Sequence, residues 1–376
     1  MRTLLKFSLF LLIMYGGYQY IHGKIDAASL PKTMDMIHSE VNQDSITSFF
    51  QNIENEWNNL KTLFQQTQDK LPEWNVEKEQ KSLEQPELAT PTEQTFSIYN
   101  IQIGDKKEEV EKHLGEAKRQ TINEYGIPWY VYHENYHHFV MVGYDKNQSV
   151  KAIYTNQDLI ASKNGLKKGI DKNTVLKTLG EPLTELKKGF VYYKLPADKD
   201  YEMFLLDKEY VTVFFDKEEG NTVTAMQIID GELEENRTDF YTKSSPDLQK
   251  GFEYQLFDLT NASRVNNGLS PLKWNDHVKG TARKHSNDMA VNNYFDHTNL
   301  EGESPFDRML EDGIRYTTAG ENLAYGQYSS IFAHEGLMNS SGHRKNILQK
   351  DFRNLGIGVA FNAKSQPYYT ENFFTP

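Results

Sequence analysis

The chain has 376 residues, enough for two or three domains that each bury a core. It carries 41 Lys and Arg against 53 Asp and Glu and has no cysteine, which excludes disulfide staples, thiolate metal sites, a cysteine nucleophile and a lipidated cysteine. From Gly251 onward there are 12 basic and 14 acidic residues, so the negative balance sits in the first 250; with no basic stripe, nucleic acid is not an expected partner.

At the N-terminus Arg2 and Lys6 flank an uncharged run from Phe7 to Gly23, densest in Leu9 to Met14. Its length is short for a membrane span and long for a cleaved signal. Tyr15, Tyr18 and Tyr20 suit a membrane interface, and Asp26-Ala27-Ala28 is a poor cleavage site. Residues 1–23 are therefore expected to be an uncleaved signal anchor in preference to a cleaved signal peptide. The basic residues stay cytoplasmic and everything after Lys24 lies outside the cell. An extracytoplasmic chain without disulfides suits a Gram-positive surface.

Residues 24–97 read as a helix and a linker. Ile46, Phe50, Ile53, Trp57, Leu60 and Phe64 recur four and three apart, an amphipathic helix that Leu71-Pro72 ends. Fewer than three heptads favour a stalk over a dimerising coil. Glu73 to Gln94, rich in Glu, Gln, Lys and Pro, reads as a solvated spacer.

Residues 98–231 contain an internal repeat. Gly104 leads through Val110 to Leu114-Gly115-Glu116, and Gly169 leads through Val175 to Leu179-Gly180-Glu181. Each glycine pair brackets a short helix closed by Leu-Gly. Strands are expected at Trp129–Tyr132, His138–Val142 and Val150–Tyr154 in the first copy. In the second they are expected at Phe190–Tyr193, Tyr210–Phe215 and Val223–Ile228. Tyr144-Asp145-Lys146 and Phe215-Asp216-Lys217 mark the same turn. The expectation is one helix on a small antiparallel sheet per copy. His133, His137 and His138 read as strand and turn residues rather than a metal site.

Residues 232–250 look like a polar linker. Residues 251–376 begin with a helix expected over Glu253–Asn267, then a second from about Asp276 to Asn293 carrying His285, which reads as a packed histidine. Ser304 can cap a helix with Phe306 and Met309, and Ser329 or Ser330 one with Phe332, Glu335 and Leu337. Leu355–Phe361 and Tyr368–Phe374 read as paired strands.

Three motifs in this region carry the chemistry. They are Tyr294-Phe295-Asp296-His297-Thr298, Ala319-Gly320-Glu321-Asn322-Leu323-Ala324 and Met338-Asn339-Ser340-Ser341-Gly342-His343-Arg344-Lys345-Asn346-Ile347-Leu348. Two histidines and a carboxylate on separate loops suit a three-ligand metal site with an open position, or a general acid/base set. The bland alternative is that Glu321 and Asn322 tie loops to backbone amides. In order and spacing the motifs resemble the CAP superfamily (cysteine-rich secretory, antigen 5 and pathogenesis-related-1 proteins) in its cysteine-free bacterial form, over roughly Gln255 to Phe374. The repeat region resembles the CAP-associated N-terminal domain of some bacilli.

The resemblance implies an α+β protein: a C-terminal three-layer α-β-α sandwich preceded by a tandem-repeat α+β domain and the N-terminal membrane segment. It also implies a His/Glu tetrad lining a solvent-open cavity. His297, Glu321 and His343 carry over by motif. Glu335 is the candidate fourth member, although it precedes Leu337, where many relatives have tryptophan, and Ser340 stands where the animal proteins place the glutamate. The expected groove comprises His297, Glu321, His343, Glu335 and Asn322, with His297, His343 and Glu321 as ligands for a divalent cation such as zinc.

Two functions follow. One is a surface module binding a lipid, peptide or cell-envelope component or a cation. The other is a metal-assisted hydrolase acting on peptide or cell-wall material. Against the latter, no nucleophile elbow is evident, and His334-Glu335 lacks a second histidine at zinc-motif spacing. Membrane placement is directly testable. Protease added to intact cells should degrade everything after Lys24 while the residual fragment fractionates with membrane; full-length protein recovered from the cytosol would contradict it.

Overall fold

The computed structural model describes residues 84–376. The expected anchor at 1–23, the helix at 46–64 and the first part of the spacer lie outside the described residues. Among the described residues, no helix is long and apolar enough to cross a membrane. The end of the spacer is tied down, although Glu87, Ala89 and Thr90 remain exposed. Asn100 Oδ1 accepts from Ala89 N, Asn100 Nδ2 donates to Glu87 O, and Gln94 exchanges two hydrogen bonds with Ile103.

Next come β1 (Phe96–Ile98), α1 (Lys107–Leu114), β2 (Arg119–Ile122), β3 (Pro128–Glu134), β4 (His137–Tyr144), β5 (Val150–Thr155) and β6 (Ile160–Ser162). They are followed by α2 (Lys172–Leu179), β7 (Glu185–Lys188), β8 (Val191–Lys194), β9 (Tyr201–Leu206), β10 (Glu209–Asp216) and β11 (Thr222–Asp230). Hydrogen bonds recur at the two glycine pairs. Gly104 N donates to Val150 O and Gly169 N to Val223 O, each at 2.9 Å. Gly115 and Gly180 end the helices at φ 75° and 84°, where glycine goes without strain.

Two expectations change here. There is not one sheet per copy but a single seven-stranded sheet, ordered β2-β3-β4-β5-β11-β10-β9. The halves join where β5 pairs antiparallel with β11, placing Thr155 opposite Met226. Phe190–Tyr193 is not a strand of that sheet. β7 and β8 form a separate hairpin with Phe190 fully exposed at its turn, and β9 takes the edge position instead. The reason is burial on both faces: β9 sends Met203 into one core and Phe204 into the other. Central strands behave likewise, so their apolar runs are continuous rather than alternating.

The expected linker at 232–250 is largely structured. It opens with α3 (Gly231–Glu235), and Glu234 is buried in an ion pair with Lys188. Tyr125 donates to the same carboxylate at 2.5 Å, and Arg237 lies against the Tyr125 and Tyr328 rings. Glu234 and Arg237 are internal partners, while Glu232, Glu235, Asp239 and Lys243 stay exposed. α4 (Pro246–Asn266) then starts well before Glu253, capped by Ser245, whose side chain accepts from Leu248 N, with Pro246 in the first turn.

The rest is β12 (Lys273–Trp274), α5 (Asp276–Asn292), α6 (Pro305–Glu311), β13 (Thr318–Tyr325), α7 (Ser330–Met338), α8 (Ser341–Ile347), β14 (Asn354–Phe361) and β15 (Pro367–Thr375). The second sheet is ordered β12-β14-β15-β13, with α5 on one face and α4 and α7 on the other. This is the three-layer sandwich. α4 and α7 also cover the seven-stranded sheet: Leu259, Ala262, Ile331 and Phe332 share a core with Trp129, Phe139 and Met141. One helical layer thus serves both sheets, and Leu83–Pro376 form one compact unit.

α5 approaches β14 at two glycines. A Cβ on Gly358 would lie 2.0 Å from Arg283 N and 2.3 Å from Ala282 C, backbone atoms of α5 that cannot swing aside. Gly358→Ala is expected to cost about 3 kcal/mol in urea unfolding, at the upper end of overpacking effects. Gly280→Ala, with nothing within 4 Å of the added carbon, should stabilise α5 by about 1 kcal/mol. Equal effects at the two positions would contradict the close-approach argument.

Candidate functional site

α5 ends at Asn293, whose left-handed backbone turns the chain into the loop carrying His297. That loop is held from below by His285. Its Nε2 donates to the Asp296 carbonyl at 3.0 Å, so the buried His285 is a loop anchor.

His297 Nδ1 donates to Glu321 Oε1 at 2.9 Å, and Arg308 Nη2 donates to Glu321 Oε2 at 2.7 Å. Arg308 also reaches the His297 carbonyl at 2.8 Å and the Glu303 carbonyl at 3.0 Å, so one guanidinium fixes both the loop and the carboxylate. The Glu321 side chain is buried, whereas that of His297 is about half exposed. Glu321 is not on a loop, as expected, but on β13, opposite Asn372 of β15.

His343 lies in the first turn of α8, with Nδ1 2.9 Å from Ser340 Oγ. Asn322 and Asn346 set this helix against β13. Asn322 Nδ2 donates to the His343 carbonyl at 3.1 Å, and Asn346 Nδ2 donates to Asn322 Oδ1 at 2.9 Å and the Glu321 carbonyl at 3.2 Å. From the far side, Arg344 pairs with Asp216 at 2.7 Å, and Asn339 accepts from Lys217 N at 2.8 Å. The turn of the β10–β11 hairpin therefore braces the residue beside His343.

Three expected members change role. Asn322 is fully buried and lines no groove; its second partner is the buried Glu371, at 3.0 Å. Glu335 does not join the histidines. It lies one helical turn beyond Ile331 and Phe332, on the face of α7 turned to the seven-stranded sheet, and accepts from Tyr154 OH at 2.5 Å. Glu321 supports His297 and Arg308 through one oxygen each, where a free ligand was expected. Among the described residues, no group of three or more His, Asp or Glu side chains is placed to hold a metal ion. His133, too, is a packing residue: its Nδ1 accepts from Tyr136 N at 3.0 Å while its ring stacks on Tyr136.

What the site offers is two imidazoles whose Nδ1 atoms are committed and whose Nε2 atoms take no hydrogen bond among the described residues. Borderline divalent cations accept such nitrogens, and a carboxylate on the far ring nitrogen is the usual support of a ligating histidine. The residues missed in the sequence were Arg308, Asn346 and Glu371, and the Ser340 contact with His343. Arg308, Asn346 and Glu371 do not stand out because each matters through a partner elsewhere in the chain, whereas the Ser340 contact is local, three residues before His343.

The imidazoles are shifted in opposite directions. The hydrogen bond to Glu321 pushes His297 up, against burial, while burial and then the His297 charge push His343 down. His297 therefore stabilises the fold fully below the ordinary imidazole range, and this is lost as pH rises through its raised pKa. His343 does the reverse, losing its contribution as pH falls through its lowered pKa. In a histidine-resolved NMR titration His297 should titrate at higher pH than His343, and Glu321→Gln should bring His297 down. Coincident curves in the unmodified protein would contradict this arrangement.

Comparison with known proteins accords with the geometry. The model of the cysteine-rich secretory protein family matches residues 257–373, and that of the CAP-associated N-terminal domain matches 103–240. The chain is similar to the membrane protein YlbC of Bacillus subtilis (strain 168), 31% identical over 290 residues, which cover 72% of this chain and 82% of YlbC. It is also similar to YkwD of the same organism, 42% identical over 132 residues, covering 35% of this chain and 50% of YkwD. In fold it resembles an extracellular SCP-domain protein from Bacillus anthracis, with a TM-score of 0.64 and 24% identity over 78% of this chain and 100% of that one. A cysteine-rich secretory protein from Staphylococcus aureus gives a TM-score of 0.56 at 18% identity, over 77% of this chain and 98% of that one.

Proposed function

Because the chain belongs to the cysteine-rich secretory protein family, we propose that it is an extracytoplasmic, membrane-anchored binding module of the cell envelope that takes a divalent cation such as zinc between His297 and His343. The carrying observation is how His297 is held. Arg308 fixes Glu321, Glu321 fixes the Nδ1 proton of His297, and Nε2 is left as the lone-pair nitrogen. His343 complements it when Ser340 Oγ accepts from Nδ1. Two protein nitrogens leave coordination positions for a carboxylate or carbonyl of a bound peptide or lipid, which suits recognition.

A hydrolytic reading asks for a free carboxylate base, and Glu321 already serves His297 and Arg308. Placement outside the membrane draws on the uncharged run at 7–23 and on the naming of YlbC as a membrane protein.

Isothermal titration of the full-length chain with zinc tests the reading. Binding should weaken by about tenfold or more between about pH 7.5 and about pH 5.5, because protons compete for the same nitrogens. The His297→Ala/His343→Ala variant should lose it, and Glu321→Gln should weaken it by about 10- to 100-fold, as loss of a supporting partner does. Zinc binding that survives removal of both histidines would end the proposal.

A further inference from the structure

A cleft, partly open to solvent, lies where the two sheets share their helical layer. This cleft of about 220 Å³ is lined by Asn156, Lys168 and Thr224 from the repeat region and by Ser263, Asn267 and Glu335 from the C-terminal sandwich. A water needs about 10–15 Å³ of such space, so there is room for a molecule of amino-acid or dipeptide size.

The wall is polar and incompletely satisfied. Asn156 Oδ1 and Thr224 Oγ1 are buried without a hydrogen-bond partner among the described residues. Glu335, only 4% exposed, uses Oε1 to accept from Tyr154, while Oε2 has no protein partner among the described residues. Lys168 Nζ donates to the Asn156 carbonyl at 3.0 Å and forms no ion pair among the described residues. Arg344 and Asp216, which also line the space, already answer each other, and Glu219 pairs with Arg344 at 3.2 Å. Lys168 and Glu335 are thus the two lining charges left without a salt-bridge partner. Buried polar atoms left this way are costly unless something fills their valences.

The pattern of what is missing defines the ligand. Glu335 Oε2 and Asn156 Oδ1 call for N–H donors; Lys168 and the Thr224 hydroxyl can supply donors to an anion. We propose that this interdomain cleft binds a small zwitterion, a free amino acid or dipeptide, with its ammonium on Glu335 and Asn156 Oδ1 and its carboxylate on Lys168 and Thr224. Burial pushes the Glu335 carboxyl up to about 7 and the Lys168 ammonium down, and their mutual attraction opposes but does not cancel that desolvation. The ligand joins groups from both halves of the molecule, so it acts as a clasp and raises the melting temperature by linkage.

The test is isothermal titration and thermal melting of the full-length chain with alanine and alanyl-alanine. N-acetylalanine lacks the ammonium, alaninamide lacks the carboxylate, and glucose is an uncharged control. Saturable binding with one site and a raised melting temperature is expected for at least one zwitterion. Each one-charge analogue should bind roughly tenfold more weakly or worse, as loss of a charge-assisted hydrogen bond implies. Lys168→Met and Thr224→Val should weaken binding while leaving zinc titration unchanged; Glu335→Gln adds a third arm if it folds. No saturable binding of either zwitterion would overturn the proposal, as would equal affinity for the one-charge analogues or a preference for glucose. A cleft holding only water gives the first of these results.

Discussion

Helix α4 is the constraint on which the molecule depends, because it is buried between two sheets yet carries polar side chains on several faces. Each is answered by a different element. Glu253 pairs bidentately with Arg283 of α5; Gln255 donates to Thr121 and Ile122 of β2 and accepts from Ser330 of α7. Asp258, pushed up to about 6 by burial, accepts from Arg119 at 2.7 Å and Tyr136 at 3.1 Å. Thr260 donates to Glu371, Asn261 exchanges both backbone bonds of Leu272, and Arg264 reaches the carbonyls of Ser270, Ile347 and Gln349. An apolar helix could rotate or slide at modest cost. This one satisfies its polar groups in one orientation only, and any other leaves several buried and unpaired.

The same helix explains what the sequence concealed. Leu256 and Leu259 marked it as helical, but Glu253, Asp258 and Arg264 look like solvated charges, and nothing local says that they are internal. Its start was legible in Ser245-Pro246-Asp247, because Leu248 and Phe252 carry the spacing of Leu256 and Leu259 back to that cap; the polar residues around them hid it. Where structure is decided within a few residues, the sequence sufficed. Asn275 and Ser304 cap the helices expected after them, Ser304 with a full capping box through Asp307, and Leu355–Phe361 pairs with Tyr368–Phe374. Where a partner lies far along the chain, it did not. Phe190–Tyr193 has strand composition yet stands outside the main sheet, and the acidic join hides the Lys188–Glu234 pair.

The candidate site divides along the same line. His297, Glu321 and His343 were legible because they sit in short motifs with a fixed order. Their division of labour was not, because it depends on Arg308 occupying the second Glu321 oxygen. Glu335 shows the opposite failure. It is in the right helix, but helical periodicity turns it with Ile331 and Phe332 toward the other sheet.

The brace between the β10–β11 turn and the α7–α8 joint has an evolutionary consequence. Arg344 and Asn339 rely on Asp216 and the Lys217 amide, and both flank the residues that position His343. This sandwich would lose specific partners if it were cut from its own repeat region. A recombination junction placed in 232–250 would separate Arg344 from its carboxylate and strip α4 of Arg119 and Tyr136. Junctions upstream of Glu87 leave every one of these contacts intact. In this chain the two halves therefore behave as one inheritable unit, and a sandwich that stands without the repeat region must answer the buried Asp258 and Arg344 in another way.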